Sequence, residues 1–286
     1  MIGISRQTYY RRQWQEKKKE QMEKIVIEQV ENLRCQMPRI GTRKLYHLLH
    51  TPLREVGVGR DKLFTLLRAN QMLITPKRNR RITTNSHHRF HKYKNLISGM
   101  VITRPEQVWV SDITYIGAMK KHCYLSLVTD AYSKKIMGYD LSNSLSTESS
   151  LRALQMAVNN RLYPERPLIH HSDRGLQYCS YPYQEKLKKY HIQPSMTESR
   201  DPYANAVAER MNGILKQEFL LEEAEVSRNI LRKLIKNSVR IYNTKRPHAS
   251  CLMHTPEWMH RQRCVKIKTY KKVEAVLKAS SLIFFD

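Results

Sequence analysis

Apolar residues in the first quarter of the chain fall three and four apart, and beyond Val108 they alternate with polar ones. Ile25, Val26, Val30 and Leu33 have helical spacing, so Gln21 to about Leu73 reads as helical. Gly41-Thr42 opens a second apolar set (Leu45, Leu48, Leu49). Gly57-Val58-Gly59 opens a third (Leu63, Phe64, Leu66, Leu67). Helix, short turn, helix is the pattern of a helix-turn-helix unit, or of a small helical bundle. Upstream, Ser5 is placed to cap a basic, aromatic helix start, Arg6-Gln7-Thr8-Tyr9-Tyr10-Arg11-Arg12, which reads as the second half of a motif.

Alternation from Val108 predicts three strands in quick succession, Val108–Ile116, His122–Thr129 and Lys135–Leu141, separated by turn formers at 117–120 and 130–133. A helix over Thr147–Arg161, a strand over Leu168–Ser172, a helix near Tyr181–Tyr190 and a strand at Ile192–Met196 follow. Helices over Asn205–Phe219 and Ser227–Asn243 complete the order. Hairpins first and crossovers after predict a mixed α/β domain with five strands and flanking helices. The chain thus divides into a partial helical motif (1–20), a helical domain (21–75), a basic linker (76–104), an α/β domain (105–260) and a basic tail (261–286).

Charge adds a partner to this outline. Lys and Arg number 51 against 25 Asp and Glu, a formal net charge of +26 over 286 residues. An excess on this scale concerns binding rather than fold, and a phosphate backbone is its commonest counterpart. Arg43, Lys44, Arg60 and Lys62 fall outside the apolar helix positions, and Arg78, Arg80 and Arg81 lie in the linker. They are candidate DNA contacts, or else a solvated basic face. No apolar stretch approaches the ~20 residues of a spanning helix, and Met1–Tyr10 has no signal-peptide pattern. A soluble, non-membrane protein is expected. Five scattered cysteines without a Cys-x-x-Cys pair read as reduced thiols rather than disulfides or a zinc site.

Three carboxylates carry the candidate chemistry. Asp112 sits within an apolar strand, Asp173 where a strand gives way to Arg174-Gly175, and Glu209 on a helix with 35 residues between it and Asp173. A carboxylate in or beside a buried strand is costly unless something pairs with it, and a divalent metal is a common partner. Three such groups can hold two Mg²⁺ or Mn²⁺ ions about 3.5–4 Å apart for phosphoryl transfer; equally, three unrelated acidic residues can be picked from any sequence. At about 100° per residue, Asn205, Glu209, Asn212 and Lys216 share one helical stripe opposite Val207, Met211, Ile214 and Leu215. The stripe would face a strand end or a bound substrate. For the remaining conspicuous side chains packing is expected: one of His170 and His171 packed and the other solvated, His248 in a structural hydrogen bond, Trp14 and Trp258 packed locally, Trp109 in the core.

Trp109–Tyr115, His171–Tyr178 (His-Ser-Asp-Arg-Gly-Leu-Gln-Tyr) and Asn205–Gly213 resemble the DDE transposases of bacterial insertion sequences. So do the 35-residue gap, the lysine seven after the glutamate, Tyr242–Ser250 and Thr255-Pro256-Glu257-Trp258. Within that family the chain resembles the second-reading-frame product. Ala204 and Cys251–His254 depart from the group's usual residues, and the tail carries no motif of the group. The resemblance implies a ribonuclease-H-like core shared with retroviral integrases, with Asp112, Asp173 and Glu209 as ligands of two Mg²⁺ or Mn²⁺ ions. It implies Lys216 near the transposon end, double-stranded DNA as partner, a dimer or higher oligomer, and fusion to or association with an upstream-frame product in the bacterial cytoplasm. The expected activity is cleavage at terminal repeats followed by strand transfer. A catalytically silent DNA-binding regulator and a ribonuclease-H-type nuclease are the alternative readings.

Overall fold

A computed structural model of the chain describes residues 5–75, 90–117, 123–198, 206–262 and 265. Helix α1 (Arg6–Gln36) begins at Ser5, whose hydroxyl accepts from the Thr8 amide at 3.3 Å. It runs unbroken through residue 20. Its first half is exposed, and only Val26 and Val30 of α1 are buried; Ile25 stays on the exposed side. Helices α2 (Thr42–Leu48), α3 (His50–Glu55) and α4 (Arg60–Ala69) follow. Pro52 is tolerated in the first turn of α3, where its missing N–H removes no helical bond. Gly57, at φ +66°, supplies the left-handed turn between α3 and α4.

Strands β1 (Val108–Ile116), β2 (Cys123–Asp130) and β3 (Ile136–Ser142) form an antiparallel meander. Helix α5 (Thr147–Asn159) crosses to β4 (Leu168–Ser172), which pairs parallel with β1. Helices α6 (Leu176–Cys179) and α7 (Tyr181–Lys189) lead to β5 (Ile192–Met196), parallel to β4. The strand order β3-β2-β1-β4-β5 is that of a ribonuclease-H-like sheet. Helix α8 (Ala206–Gly213) continues into a π-helical segment, Ile214–Glu218, where the sequence predicts one regular helix. Helix α9 (Arg228–Thr244), a 3₁₀ turn (Ala249–Cys251) and α10 (Pro256–His260) end the described fold.

The sheet is buried on both faces. Trp109, Val128 and Met137 pack against Ala153, Leu154 and Ala157 of α5 and Tyr183 and Leu187 of α7. Gly138 makes this possible: a Cβ there would lie 2.0 Å from the Ala153 carbonyl oxygen. On the other face, Ile116, Leu125 and Leu127 share one apolar cluster with Met211, Leu215, Ile235 and Tyr242, and with Val26, Leu45, Leu53, Leu63 and Leu67 of the N-terminal helices. The helical region and the α/β domain are therefore joined by a common core. The end of the linker also packs: the Leu96 amide donates to Ser195 Oγ at 2.9 Å, and Ile97 joins a small cluster with Val108 and Val110. His122 and most of the 117–120 turn fall outside the described residues.

Candidate active site

Strands β1 and β4 are in parallel register up to Ser111 opposite Ser172, so Asp112, still in β1, and Asp173, which follows β4, are the next residues of each. Asp173 stands just past the end of β4, and its Oδ1 accepts from the Gly175 amide at 3.0 Å. Asp112 Oδ1 accepts from the Ile113 amide at 2.9 Å, and Oδ2 accepts from Asn212 Nδ2 at 2.7 Å. That bond fixes α8 against β1. Glu209 lies on α8, one turn before Asn212, with its side chain exposed. Burial, then the nearby charge of Asp173 and also that of Glu209, push the Asp112 carboxyl up to about 7 against the opposing Ile113 and Asn212 bonds. The charges of Asp173 and Glu209 thus both disfavour ionisation of Asp112.

Among the described residues no three His, Cys, Asp or Glu side chains stand ready-made as a metal cage. The donor set nonetheless fits a hard divalent cation. It is all oxygen, as Mg²⁺ and Mn²⁺ prefer, and Asp112 is held in a place where ionisation needs a compensating positive charge.

Behind these residues is a polar layer that sequence reasoning reads differently. His170 and His171 are both buried, so neither is solvated. His170 Nε2 lies 2.7 Å from Ser111 Oγ and 2.9 Å from the Tyr183 hydroxyl, while His171 Nδ1 lies 2.9 Å from Ser195 Oγ. Burial, reinforced by His171, holds His170 down at about 3, hence neutral. These bonds lock the strand positions adjoining Asp112 and Asp173. Beside Asp173 opens a cleft of about 190 Å³, lined by Gly175, Gln177 and Tyr178 on one side and Thr114, Tyr115 and Tyr124 on the other.

The candidate DNA contacts separate into groups. Arg43, Arg60 and Lys62 are exposed, although Arg60 also bonds Asp61 at 2.9 Å. Asn212 is 5% exposed and committed to Asp112, so it is a support for the carboxylate rather than a surface contact. Lys44 is half-buried against Glu218 at 3.5 Å instead of facing outward. Lys216 is half-buried in the π segment, which breaks the regular phase of the projected stripe. Asn205, Arg78, Arg80 and Arg81 lie outside the described residues. His248 makes the expected structural bond, 2.8 Å from Ser250 Oγ, and Trp109 is fully buried. Trp258 stacks on His254 at 3.8 Å, whereas Trp14 is 63% exposed beside Lys18.

Arg246 and Glu218 are residues that sequence reasoning passed over. Arg246, 1% exposed, donates to both oxygens of Glu218 at 2.8 and 2.7 Å. The signal was the Lys245–His248 motif, but nothing local pointed to a partner 28 residues upstream. The four described cysteines are free thiols, as expected, and no helix among the described residues is long and apolar enough to cross a membrane.

Two family models described as "Integrase core domain" match residues 102–202 and 190–256. The insertion element IS600 uncharacterized 31 kDa protein of Shigella sonnei is 34% identical over 257 residues, covering 87% of this chain and 92% of its own length. The transposase InsF for insertion sequence IS3A of Escherichia coli (strain K12) is 37% identical over 154 residues, covering 54% of this chain; the match spans about half of that relative, 53%. Among solved structures, the HTLV-2 integrase catalytic core domain in complex with magnesium aligns with 55% of this chain and 98% of its own, at 21% identity and a TM-score of 0.44. Strand order, family models and the near full-length relative agree: the chain belongs to the DDE-type insertion-sequence transposases, DNA-cleaving and strand-transferring enzymes built on an integrase core.

Proposed function

We propose that Asp112, Asp173 and Glu209 are the catalytic carboxylates and together hold two divalent cations, Mg²⁺ or Mn²⁺. The observation that carries this reading is Asp112, in β1, beside Asp173, which follows the parallel neighbour β4, with the charges of Asp173 and Glu209 both acting on Asp112. When bound, such cations supply Lewis acidity, lowering the pKa of an attacking water or 3′-hydroxyl and offsetting charge on the leaving oxygen. Asn212 orients Asp112 through one oxygen, and the Gly175 amide orients Asp173. His170, neutral and bonded to Ser111 and Tyr183, and His171, bonded to Ser195, keep the strands rigid behind them.

The substrate is double-stranded DNA bearing the element's terminal repeats. Cleavage exposes a 3′-hydroxyl that then attacks target DNA, in the cytoplasm at the nucleoid. The exposed Arg43, Arg60 and Lys62 of the helix-turn-helix region, with Arg78, Arg80 and Arg81 of the linker, contact phosphates. Joining two ends calls for two or more protomers, and fusion to or association with an upstream-frame product is part of the same reading. The test compares wild type with Asp173→Asn in a Mg²⁺- or Mn²⁺-dependent cleavage and strand-transfer assay on the element's own ends. Product from wild type alone is expected. Equal product from both would remove Asp173 from the site, and binding without product from either, even with the upstream half added, would identify a silent regulator.

A further inference from the structure

We propose that Lys44, Glu218 and Arg246 form a positioning triad that transmits the seating of the N-terminal helices to the helix carrying Glu209. The proposal rests on the reading of Glu209 as a catalytic carboxylate.

Three parts of the chain meet at Glu218. Arg246, following α9, grips both its carboxylate oxygens at 2.7 and 2.8 Å. Lys44, on α2, reaches the same Oε1 at 3.5 Å. The Arg39 amide, in the loop between α1 and α2, donates to the Glu218 backbone carbonyl at 3.0 Å. Next to Arg246, Lys245 Nζ donates to Gln36 Oε1 at the end of α1, at 2.7 Å. Glu218 is the last residue of the π segment that continues α8, about 13 Å along the helix from Glu209.

The triad is a poor device for stability alone, because taking three charges largely out of water costs much of what their attraction returns. It is a good device for geometry. A bidentate guanidinium pair fixes both distance and orientation, and the helix between Glu218 and Glu209 is rigid in the apolar cluster through Met211, Ile214 and Leu215. A π segment is also a common place for a helix to be re-phased near a site. Lys44 is the one charged side chain of the triad supplied by the N-terminal helices, so it couples their seating on DNA to the Glu218 carboxylate, beside the Arg39 backbone bond to the same residue.

The test uses the full chain and a duplex carrying the element's terminal repeat. Lys44→Met keeps the aliphatic stem. It should leave duplex affinity and its salt slope unchanged, whereas loss of a phosphate contact would flatten that slope by about one. It should speed hydrogen exchange across residues 206–218 and lower turnover at saturating DNA and Mg²⁺ roughly 10-fold or more. Lys44→Arg should restore both readouts. In a Glu218→Gln background, Lys44→Met should have little further effect, because its partner is already gone. Weakened DNA binding with unaltered exchange, or an undiminished effect in the Glu218→Gln background, would overturn the triad. A Glu209→Gln variant with full turnover would instead defeat the catalytic reading, while the exchange measurement would still decide the triad.

Discussion

Asp112 shows how a single residue trades stability for chemistry. Its carboxyl is pushed up to about 7 by burial and by Asp173, so in the metal-free protein the charged form is disfavoured and the carboxyl is only partly ionised at neutral pH. Asp112→Asn should therefore raise the thermal midpoint of the metal-free chain by several degrees, on the order of 1–2 kcal/mol, while abolishing cleavage. Mg²⁺ should raise the wild-type midpoint by binding the folded state, and that gain should vanish in Asp112→Asn. Calorimetry with and without Mg²⁺ checks both; an Asn variant no more stable than wild type would sink the argument. Asp112 stood out because a carboxylate amid Val110, Thr114 and Ile116 has no packing reason to be there, whereas Asp173 and Glu209 were singled out with it only by the family resemblance. Asn212 was misread as a DNA contact because helical periodicity places it on the polar stripe, and only the approach of α8 to β1 reveals its partner.

At the scale of elements, α5 depends on one close backbone approach and α10 on the partners of one buried histidine. Gly138→Ala would drive a Cβ into the Ala153 carbonyl oxygen and to 2.7 Å from the Ala157 amide nitrogen, both backbone atoms of α5 that cannot yield cheaply. Loss of several kcal/mol is expected, on the order of 3 or more, with expression of soluble protein as the readout. Helix α10 is held by His260, which lies 3.3 Å from Glu106 Oε1 and 3.7 Å from Asp130 Oδ1, with Ser133 Oγ at 2.9 Å. Burial opposes a charge on His260, but its bonds to Asp130 and Glu106 outweigh it and raise its pKa; Lys135 acts weakly the other way. Burial likewise opposes ionised Glu106, and the bonds from His260, the Leu162 amide and Arg161 outweigh it and lower its pKa.

The two signs define a window. A raised His260 stabilises fully below the unfolded value of 6.5, and its contribution is lost as pH rises through its folded value. A lowered Glu106 stabilises above 4.5, and its contribution is lost as pH falls through its folded value. Docking of α10, followed by limited proteolysis, should be tightest between these limits, loosening as pH rises through the folded value of His260 and as it falls through that of Glu106. His260→Gln should remove the alkaline loosening; its persistence would assign the effect elsewhere. Most element boundaries were readable from the chain: β1, β4 and β5 match to the residue, since alternation is a local property. The π segment was not, because no spacing along the chain marks it; it ends at Glu218, which is bonded to Arg246 28 residues further on.

At the scale of the whole molecule, the described N-terminal helices and the sheet share one apolar core. Leu45 of α2 is fully buried in the same apolar cluster as Leu125 of β2 and Tyr242 of α9. Leu45→Ala should cost roughly 2–5 kcal/mol and lower a single unfolding transition seen alike by probes in residues 42–69 and in the sheet. Two separate transitions would restore independent domains. For DNA, removing Arg43 or Lys62 should weaken binding similarly across sequences, each flattening the salt slope by about one.

The sequence alone determined the order of helices and strands, the acidic positions on or beside strands and the polyanionic partner implied by a net charge of +26. These depend on local periodicity and on composition, which survive without a fold. Tertiary structure decided which charges remain available. Lys44 meets Glu218 across 174 residues and Asn212 meets Asp112 across 100, so both leave the surface that helical phase assigned to them. Such pairings arise when elements pack on a common core, and nothing in the spacing of either residue along its own helix could have announced them.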